Sequence, residues 1–391
     1  MTSRKTRRPN ILFVLTDDQG AWALGCAGNP EIRTPNLDAL AARGVRCENM
    51  FCASPVCSPA RASILTGRIP SRHGVHDWIR QGNSRARPQH GTKLIEYLQN
   101  QRAFPDLAAD AGYNCGLSGK WHLGNGYKPQ KSFSFWNVHA EGGGPYYGAP
   151  MIRNGKDYTE KRYVTEAITE NALRFLEDSR SRNAPFLLAV HYTAPHAPWD
   201  RSHHPARWFD PYFESCAFQS VPDEPIHPWH LKRSGQVAEN PERRRELLSG
   251  YFAAVEAMDD GVGRLLQCLD AQDRLENTLV FFTSDNGMSM GHHGIWGKGN
   301  GTFPQNMYDT AVKVPFVAAG PGLAQGLTTD ALLSHIDIRP TILDLLGIPD
   351  PEADDLPGHS FVPLLQGKGN AERDCVVVFD EYGPVRMVRT R

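Results

Sequence analysis

Two short acidic groups stand directly behind apolar runs in this 391-residue chain. Asp17-Asp18 follows Asn10 to Thr16 (NILFVLT), and Asp285-Asn286-Gly287 follows Thr278 to Ser284 (TLVFFTS). Asp17, Asp18, Asp285 and Asn286 offer only hard oxygens, which suit Ca²⁺ or Mg²⁺ and not Zn²⁺. Asp and Asn also cap helices and hold turns, so one pair alone carries little. Two pairs, each ending an apolar strand, point to a divalent cation. A second cluster is Cys57-Ser58-Pro59-Ala60-Arg61. A thiol at a helix N-terminus, ahead of an arginine, sits in a positive local field and is a candidate nucleophile or modification site. The plainer alternative is a small buried cysteine beside a structural arginine. Gly119 to Gly124 (GKWHLG) puts Lys120 and His122 on one short loop, where both can face an anion. Ala194 to Pro198 (APHAP) restricts the backbone on both sides of His196, which favours a positioned imidazole. In His292 to Lys298 (HHGIWGK), Lys298 joins the candidates and His292 is read as simply exposed.

Strands and helices must carry these groups. NILFVLT, Phe186 to Tyr192 (FLLAVHY) and TLVFFTS are continuous apolar runs of the kind buried on both faces of a parallel sheet. Further strands are expected at Tyr113 to Ser118, Val314 to Ala319 and Cys375 to Phe379. Helices are expected at Asn36 to Arg43, from Ser58-Pro59 to Gly67, and at Phe104 to Ala111, Tyr163 to Ser179, Leu247 to Leu269 and Ile338 to Leu346. Their alternation predicts an α/β fold, a mainly parallel central sheet flanked by helices. In open α/β sheets the ligand site lies outside the carboxyl ends of the strands. Asp17-Asp18, the His191–His196 region and Asp285-Asn286 all fall there. Residues 1–9 read as a basic tail and 10–370 as the α/β domain. Residues 200–240, rich in Pro, His and Trp, read as a surface insertion, and Glu141 to Ala149 (EGGGPYYGA) as a flexible loop without the spacing of a nucleotide cradle. No internal repeat is found.

The clusters together resemble the sulfatase family, within the alkaline-phosphatase-like superfamily. The signature is Cys57-x-Pro59-x-Arg61 running into Thr66-Gly67, joined in order by PNILFVLTDDQG, GKWHLG, APHAP, TSDNG and HGIWGK. The resemblance runs from Pro9 to the C-terminus. It implies that a separate formylglycine-generating enzyme oxidises Cys57 to Cα-formylglycine. The hydrated aldehyde then attacks the sulfur of a sulfate ester and expels the alcohol, and the second hydroxyl collapses to release sulfate. It implies further that Asp17, Asp18, Asp285 and Asn286 hold the cation, usually Ca²⁺, and that Arg61 orients the diol. Lys120 and His122 would contact sulfate and nucleophile, and His196 and Lys298 the leaving oxygen. His191 does not fit the family's histidine position and is read as structural. Lys298 stands ten residues ahead of Tyr308-Asp309, a spacing longer than in many relatives, and Ala60 stands where Ser is frequent. Residues 371–391 read as the start of a small C-terminal subdomain, truncated in this chain. The expected substrate is a sulfated small molecule or carbohydrate, with Trp199, Trp208, Trp229 and Trp296 as a sugar-binding rim or as packing for the insertion. The alternatives are a phosphonate monoester or phosphodiester hydrolase of the same superfamily, and a binding protein with unmodified Cys57.

Composition narrows the partners. Lys plus Arg is 42 and Asp plus Glu 43, a net charge of -1, so no bulk field recruits nucleic acid or anionic lipid. Hydrophobic residues at 40% and charged residues at 22% describe a folded chain, with apolar runs too short to span a bilayer. No signal peptide is read behind the basic N-terminus, which predicts a cytoplasmic protein. The eight cysteines contain no CxxC and are expected to be reduced thiols.

Overall fold

The computed structural model describes residues 8–80, 94–231, 236–369, 373–381, 383 and 385–391. Most of the basic tail, residues 1–7, lies outside them. The strands are β1 (Asn10–Thr16), β2 (Val45–Phe51), β3 (Asn114–Lys120), β4 (Phe135–His139), β5 (Ala149–Arg153), β6 (Lys156–Glu160), β7 (Phe186–His191), β8 (Thr278–Ser284), β9 (Ser289–Met290), β10 (Trp296–Gly297), β11 (Lys313–Ala319), β12 (Leu327–Ser334), β13 (Cys375–Phe379) and β14 (Arg386–Thr390). The helices are α1 (Pro35–Ala42), α2 (Cys57–Thr66), α3 (Pro70–His73), α4 (Phe104–Asp110), α5 (Val164–Asp178), α6 (Ala206–Ser215), α7 (Pro241–Ala271), α8 (Asp309–Val312), α9 (Ile338–Leu346) and α10 (Val362–Leu365).

Ten strands form one sheet in the order β12-β2-β11-β8-β1-β7-β3-β4-β5-β6. Within it β11 and β5 run against the others, so the sheet is mainly parallel. Successive side chains of a strand face opposite sides. In β1, Ile11, Phe13 and Leu15 enter one apolar core with residues of α2, α4 and α9. Leu12 and Val14 enter a second core with α1, α5, α6 and α7. Each fully buried side chain of this kind contributes about 1.5–3 kcal/mol, which is why a strand sandwiched between two helical layers reads as unbroken apolar sequence. A small antiparallel hairpin of β13 and β14 adds to the first core through Val376 and Val378.

Register sets the site. Thr16 pairs with Ser284, Leu15 with His191, and Gly119 with His191, all in parallel. The carboxyl ends of β8, β1, β7 and β3 therefore lie side by side, and the residues after each emerge at one edge.

Several elements were not read in the sequence. The basis of α6 is Trp208, Phe209 and Tyr212, buried in the second core, although Pro211 interrupts its pattern. The segment 200–240 is thus not wholly superficial. Helix α7 begins at Pro241, with Asn240 as a cap that accepts from the Arg243 amide, six residues before its first apolar position, Leu247. Strand β12 lies at the sheet edge with β2 next to it, and both carry exposed polar residues that blur their pattern. The β5–β6 hairpin turns on Asn154-Gly155, both at positive φ (53° and 72°), the usual two-residue turn chemistry.

Candidate active site

Three of the four oxygen-bearing residues behind β1 and β8 interlock directly. The Asp18 amide donates to Asp285 Oδ1 at 3.2 Å, and Asn286 Nδ2 donates to Asp18 Oδ1 at 2.8 Å. Asp18 holds φ at 63°, and the Tyr251 hydroxyl of α7 donates to its carbonyl at 3.0 Å while accepting from the Gly20 amide at 3.2 Å. A non-glycine residue in this left-handed region is uncommon and clusters at functional sites. The loop after β2 returns along the same edge, so α2 starts there and Cys57 is its first residue. Cys57 Sγ, Asp17 and Asp285 each bring a ligand atom within 4.8 Å of the others.

Three cations face the three carboxylates. Arg61, one turn into α2, donates from Nε to Asp285 Oδ2 at 2.8 Å and from Nη1 to the Lys120 carbonyl at 3.1 Å. Lys120, at the end of β3, reaches Asp17 Oδ2 at 2.5 Å. Lys298 follows the β9–β10 hairpin and places Nζ 2.5 Å from Asp18 Oδ1 and 2.7 Å from Cys57 Sγ. Burial works against the Lys298 charge, but Asp18, Cys57 and Asp17 outweigh it and hold the ammonium well above its usual range. Burial, then Asp17, pushes the Cys57 thiol up to about 12, against the opposing pull of Lys120 and Lys298.

Two imidazoles complete the constellation. His122, at φ 55°, is buried; Nε2 bonds the Ile79 carbonyl at 2.8 Å, so Nε2 carries the proton and Nδ1 is left as an acceptor. Burial and Lys120 drive His122 well below its usual range, which keeps it neutral. His196 bonds the Ala197 carbonyl through Nδ1 at 2.7 Å, which turns Nε2 toward Asp18 Oδ2 at 3.7 Å. His191 is buried with Nδ1 on the Lys120 carbonyl, and burial followed by Arg61 lowers it to about 3.

Four buried atoms here lack a hydrogen-bond partner among the described residues: Asp17 Oδ1, Asn286 Oδ1, Arg61 Nη2 and His122 Nδ1. Two are hard oxygens of the set expected to hold a cation. Three carboxylates plus an amide oxygen, with open lone pairs on two of them, fit a hard divalent ion.

The site opens into a cavity of about 660 Å³ lined by Cys57, Asp18, His196 and Lys298, by Trp78 and Phe303, and by Gly142 and Gly143. Trp78 and Phe303 are 45% and 58% exposed. Neither was singled out in the sequence, since a lone aromatic in a loop carries no periodic signal. Of the four tryptophans read as a sugar-binding rim or as packing for the insertion, Trp199, Trp208 and Trp296 are buried, Trp199 with an edge on the cavity, and Trp229 is exposed. His292 is not simply exposed, because its ring packs on Trp22 at 4.7 Å and burial lowers its basicity to about 4. The Gly-rich segment is not a loose connector either, since Tyr146 within it is buried.

The family model described as sulfatase matches residues 9–348. The N-acetylglucosamine-6-O-sulfatase of Bacteroides thetaiotaomicron is 29% identical over 436 residues, covering 95% of this chain and 73% of the relative. The ulvan-active sulfatase of Formosa agariphila is 31% identical over 384 residues, covering 95% of this chain and 68% of the relative. A protein solved in complex with its substrate D-glucosamine-2-N,6-O-disulfate shares the fold at a TM-score of 0.78 and 27% identity, covering 98% of this chain and 87% of that one. With the motifs in order, their side chains gathered at one sheet edge and these relatives alike over nearly the full length, the chain belongs to the sulfatase family.

Proposed function

We propose that this sulfatase hydrolyses a sulfate ester on a carbohydrate, releasing the alcohol and inorganic sulfate. One convergence carries the reading: Cys57, Asp17 and Asp285 within 4.8 Å of one another, with the Lys298 ammonium 2.7 Å from the thiol. Cys57 is the residue to be matured by a formylglycine-generating enzyme; as formylglycine it would supply a hydrated aldehyde whose hydroxyl takes the sulfuryl group. Asp17, Asp18, Asp285 and Asn286 are the residues to hold Ca²⁺, with Mg²⁺ as the alternative, and the ion would supply Lewis acidity to a sulfate oxygen.

The chain's own side chains do the rest. Arg61 and Lys120 hold Asp285 and Asp17 in place. Lys298 brings a positive charge to the nucleophile and to the anionic ester. His122 accepts a proton at Nδ1. His196 delivers one from Nε2 to the leaving oxygen, a step that matters for a sugar alkoxide far more than for a phenolate. The substrate class is supported by the two relatives with carbohydrate-directed names and by the solved complex. The exposed rings of Trp78 and Phe303 in the cavity offer flat apolar faces suited to a pyranose. All eight cysteines are unpaired, which supports a reducing, cytoplasmic setting. No helix among the described residues is long and apolar enough to cross a membrane.

The test is co-expression with a formylglycine-generating enzyme, mass spectrometry of the Cys57 peptide, and sulfate release from 6-O-sulfated hexosamines. Conversion of Cys57 with turnover supports the reading. A persistent thiol with no turnover leaves a binding protein, and a higher kcat/KM for a phosphonate monoester replaces the substrate class.

A further inference from the structure

The segment 141–149 lies where His122 and His196 need support. Gly142 and Gly143 both line the cavity. A Cβ on Gly142 would lie 2.3 Å from both Cε1 and Nε2 of His122 and 2.8 Å from Nδ1. A Cβ on Gly143 would lie 2.6, 2.8 and 3.1 Å from Cε1, Nδ1 and Nε2 of His196. Contact with several atoms of one ring means that the backbone rests against each imidazole. Neither glycine is at positive φ, so close approach, not turn geometry, is what excludes a side chain. The next residue differs, because a Cβ on Gly144 would meet His139 only at an ordinary 3.4 Å.

The segment is held at both ends. The Glu141 amide donates to His139 Nδ1 at 3.1 Å, at the end of β4. Tyr146 stacks on Tyr163 at 5.2 Å, its carbonyl accepts from the Val164 amide at 2.8 Å, and its hydroxyl donates to the His196 carbonyl at 2.9 Å. His196 is therefore gripped twice by one segment, at its ring and at its backbone. The reach of the ring is limited further by its own Nδ1 bond to Ala197.

We infer that Gly142 and Gly143 are positioning residues, whose missing side chains let a braced backbone set the planes of His122 and His196, and that Tyr146 fixes His196 from the opposite end. The inference rests on the reading of His196 as proton donor to the leaving oxygen. A displaced donor harms esters of poor leaving groups and spares those that leave without a proton.

The experiment compares glucosamine 6-O-sulfate with 4-nitrophenyl sulfate on the matured, calcium-loaded enzyme. Gly143→Ala lowers kcat on the sugar ester by about 100-fold, the cost of misplacing a general acid, and spares the aryl ester. In a His196→Ala background the same change costs nothing further, since the two act as one unit. Gly144→Ala behaves as wild type. Tyr146→Phe shows the same substrate selectivity at smaller size and answers the question if Gly143→Ala does not fold. The inference is overturned if Gly143→Ala matches Gly144→Ala, if both esters fall equally, if the loss adds to that of His196→Ala, or if Tyr146→Phe shows no selectivity. A wild-type enzyme that cleaves neither ester removes the proposed reaction and this inference with it. One that cleaves both while the variants show no selectivity removes the inference alone.

Discussion

Two arginines, both fully buried and both beside carboxylates, sit near opposite ends of α2 and behave differently. Arg339 donates from Nε and Nη2 to Asp350 at 2.8 and 2.7 Å, from Nη2 to Glu352 at 2.9 Å, and from Nη1 to the carbonyls of Thr66 and Arg102 at 2.8 and 2.9 Å. Each of its five N–H groups has an acceptor. Thr66 is the last residue of α2, so this cation also meets the negative end of the helix dipole. At the first turn Arg61 has acceptors on Nε and Nη1, while Nη2 has none among the described residues and stands 4.0 Å from Asp17 Oδ1, which likewise has no partner among them. A buried polar atom without a partner costs on the order of 1–3 kcal/mol. A cluster that only stabilises the fold closes its hydrogen bonds, as around Arg339. One that leaves several open at a cavity floor is arranged for a group yet to arrive.

The largest effect that would break this contrast is at the nucleophile. Cys57→Ala removes sulfate release by about 10⁴-fold or more, with a thermal midpoint close to the parent's; residual turnover near the parent rate would place the nucleophile elsewhere. Next come the two arginines. Arg339→Met costs about 3–5 kcal/mol in urea unfolding, because the Asp350 carboxylate is left buried without its cation, while Glu352 keeps Arg68, and the folded fraction keeps its kcat. Arg61→Met also leaves Asp285 buried without its cation, but what sets it apart is kcat, which falls by about 10²–10³-fold as an electrostatic partner of the site is lost. If the two variants lose stability and activity in the same proportion, the division between them is wrong.

A third effect sharpens the open side of the comparison. Calcium at about 100 times its dissociation constant adds about 2.7 kcal/mol of stability, read as a rise in thermal midpoint that chelation reverses. Asp17→Asn abolishes that rise, and Asp350→Asn leaves it. No rise for the parent would contradict a cation at the orphaned oxygens.

The smallest effect concerns imidazoles that burial keeps neutral away from the site. His73 and His204 are each lowered by burial from 6.5 to about 3. The unfolded chain therefore binds their protons first, and the stability they contribute is complete above pH 6.5 and is lost as pH falls toward 3. Each contributes a slope of at most about 1.4 kcal/mol per pH unit in that window. His204→Gln flattens the fall in urea midpoint between pH 7 and 5; an unchanged slope would show that His204 is not buried neutral.

The strands that carry Asp17, His191 and Asp285 were legible because burial on both faces demands an unbroken apolar run, whatever the neighbours. Asp17, Asp18, Asp285 and Asn286 could be placed at one edge because each pair directly follows such a run, whereas Cys57, Arg61, Lys120 and His122 stood out through the ordered motifs that resemble the sulfatase family. Helix α6 was not, because Pro211 and a polar surface hide a buried aromatic face. Trp78, Phe303 and the glycine segment were not, because loops have no period and their role depends on what lies opposite.

By itself the sequence determined the residue types, the α/β alternation and the order of the motifs along the chain, since each follows from local periodicity and short-range chemistry. Only the tertiary structure decided that Lys298 meets Cys57 across 241 positions, that Arg61 stays incompletely bonded where Arg339 does not, and that two glycines press on two imidazoles. Those outcomes depend on strand register and close approach between distant segments, which no local window of sequence contains.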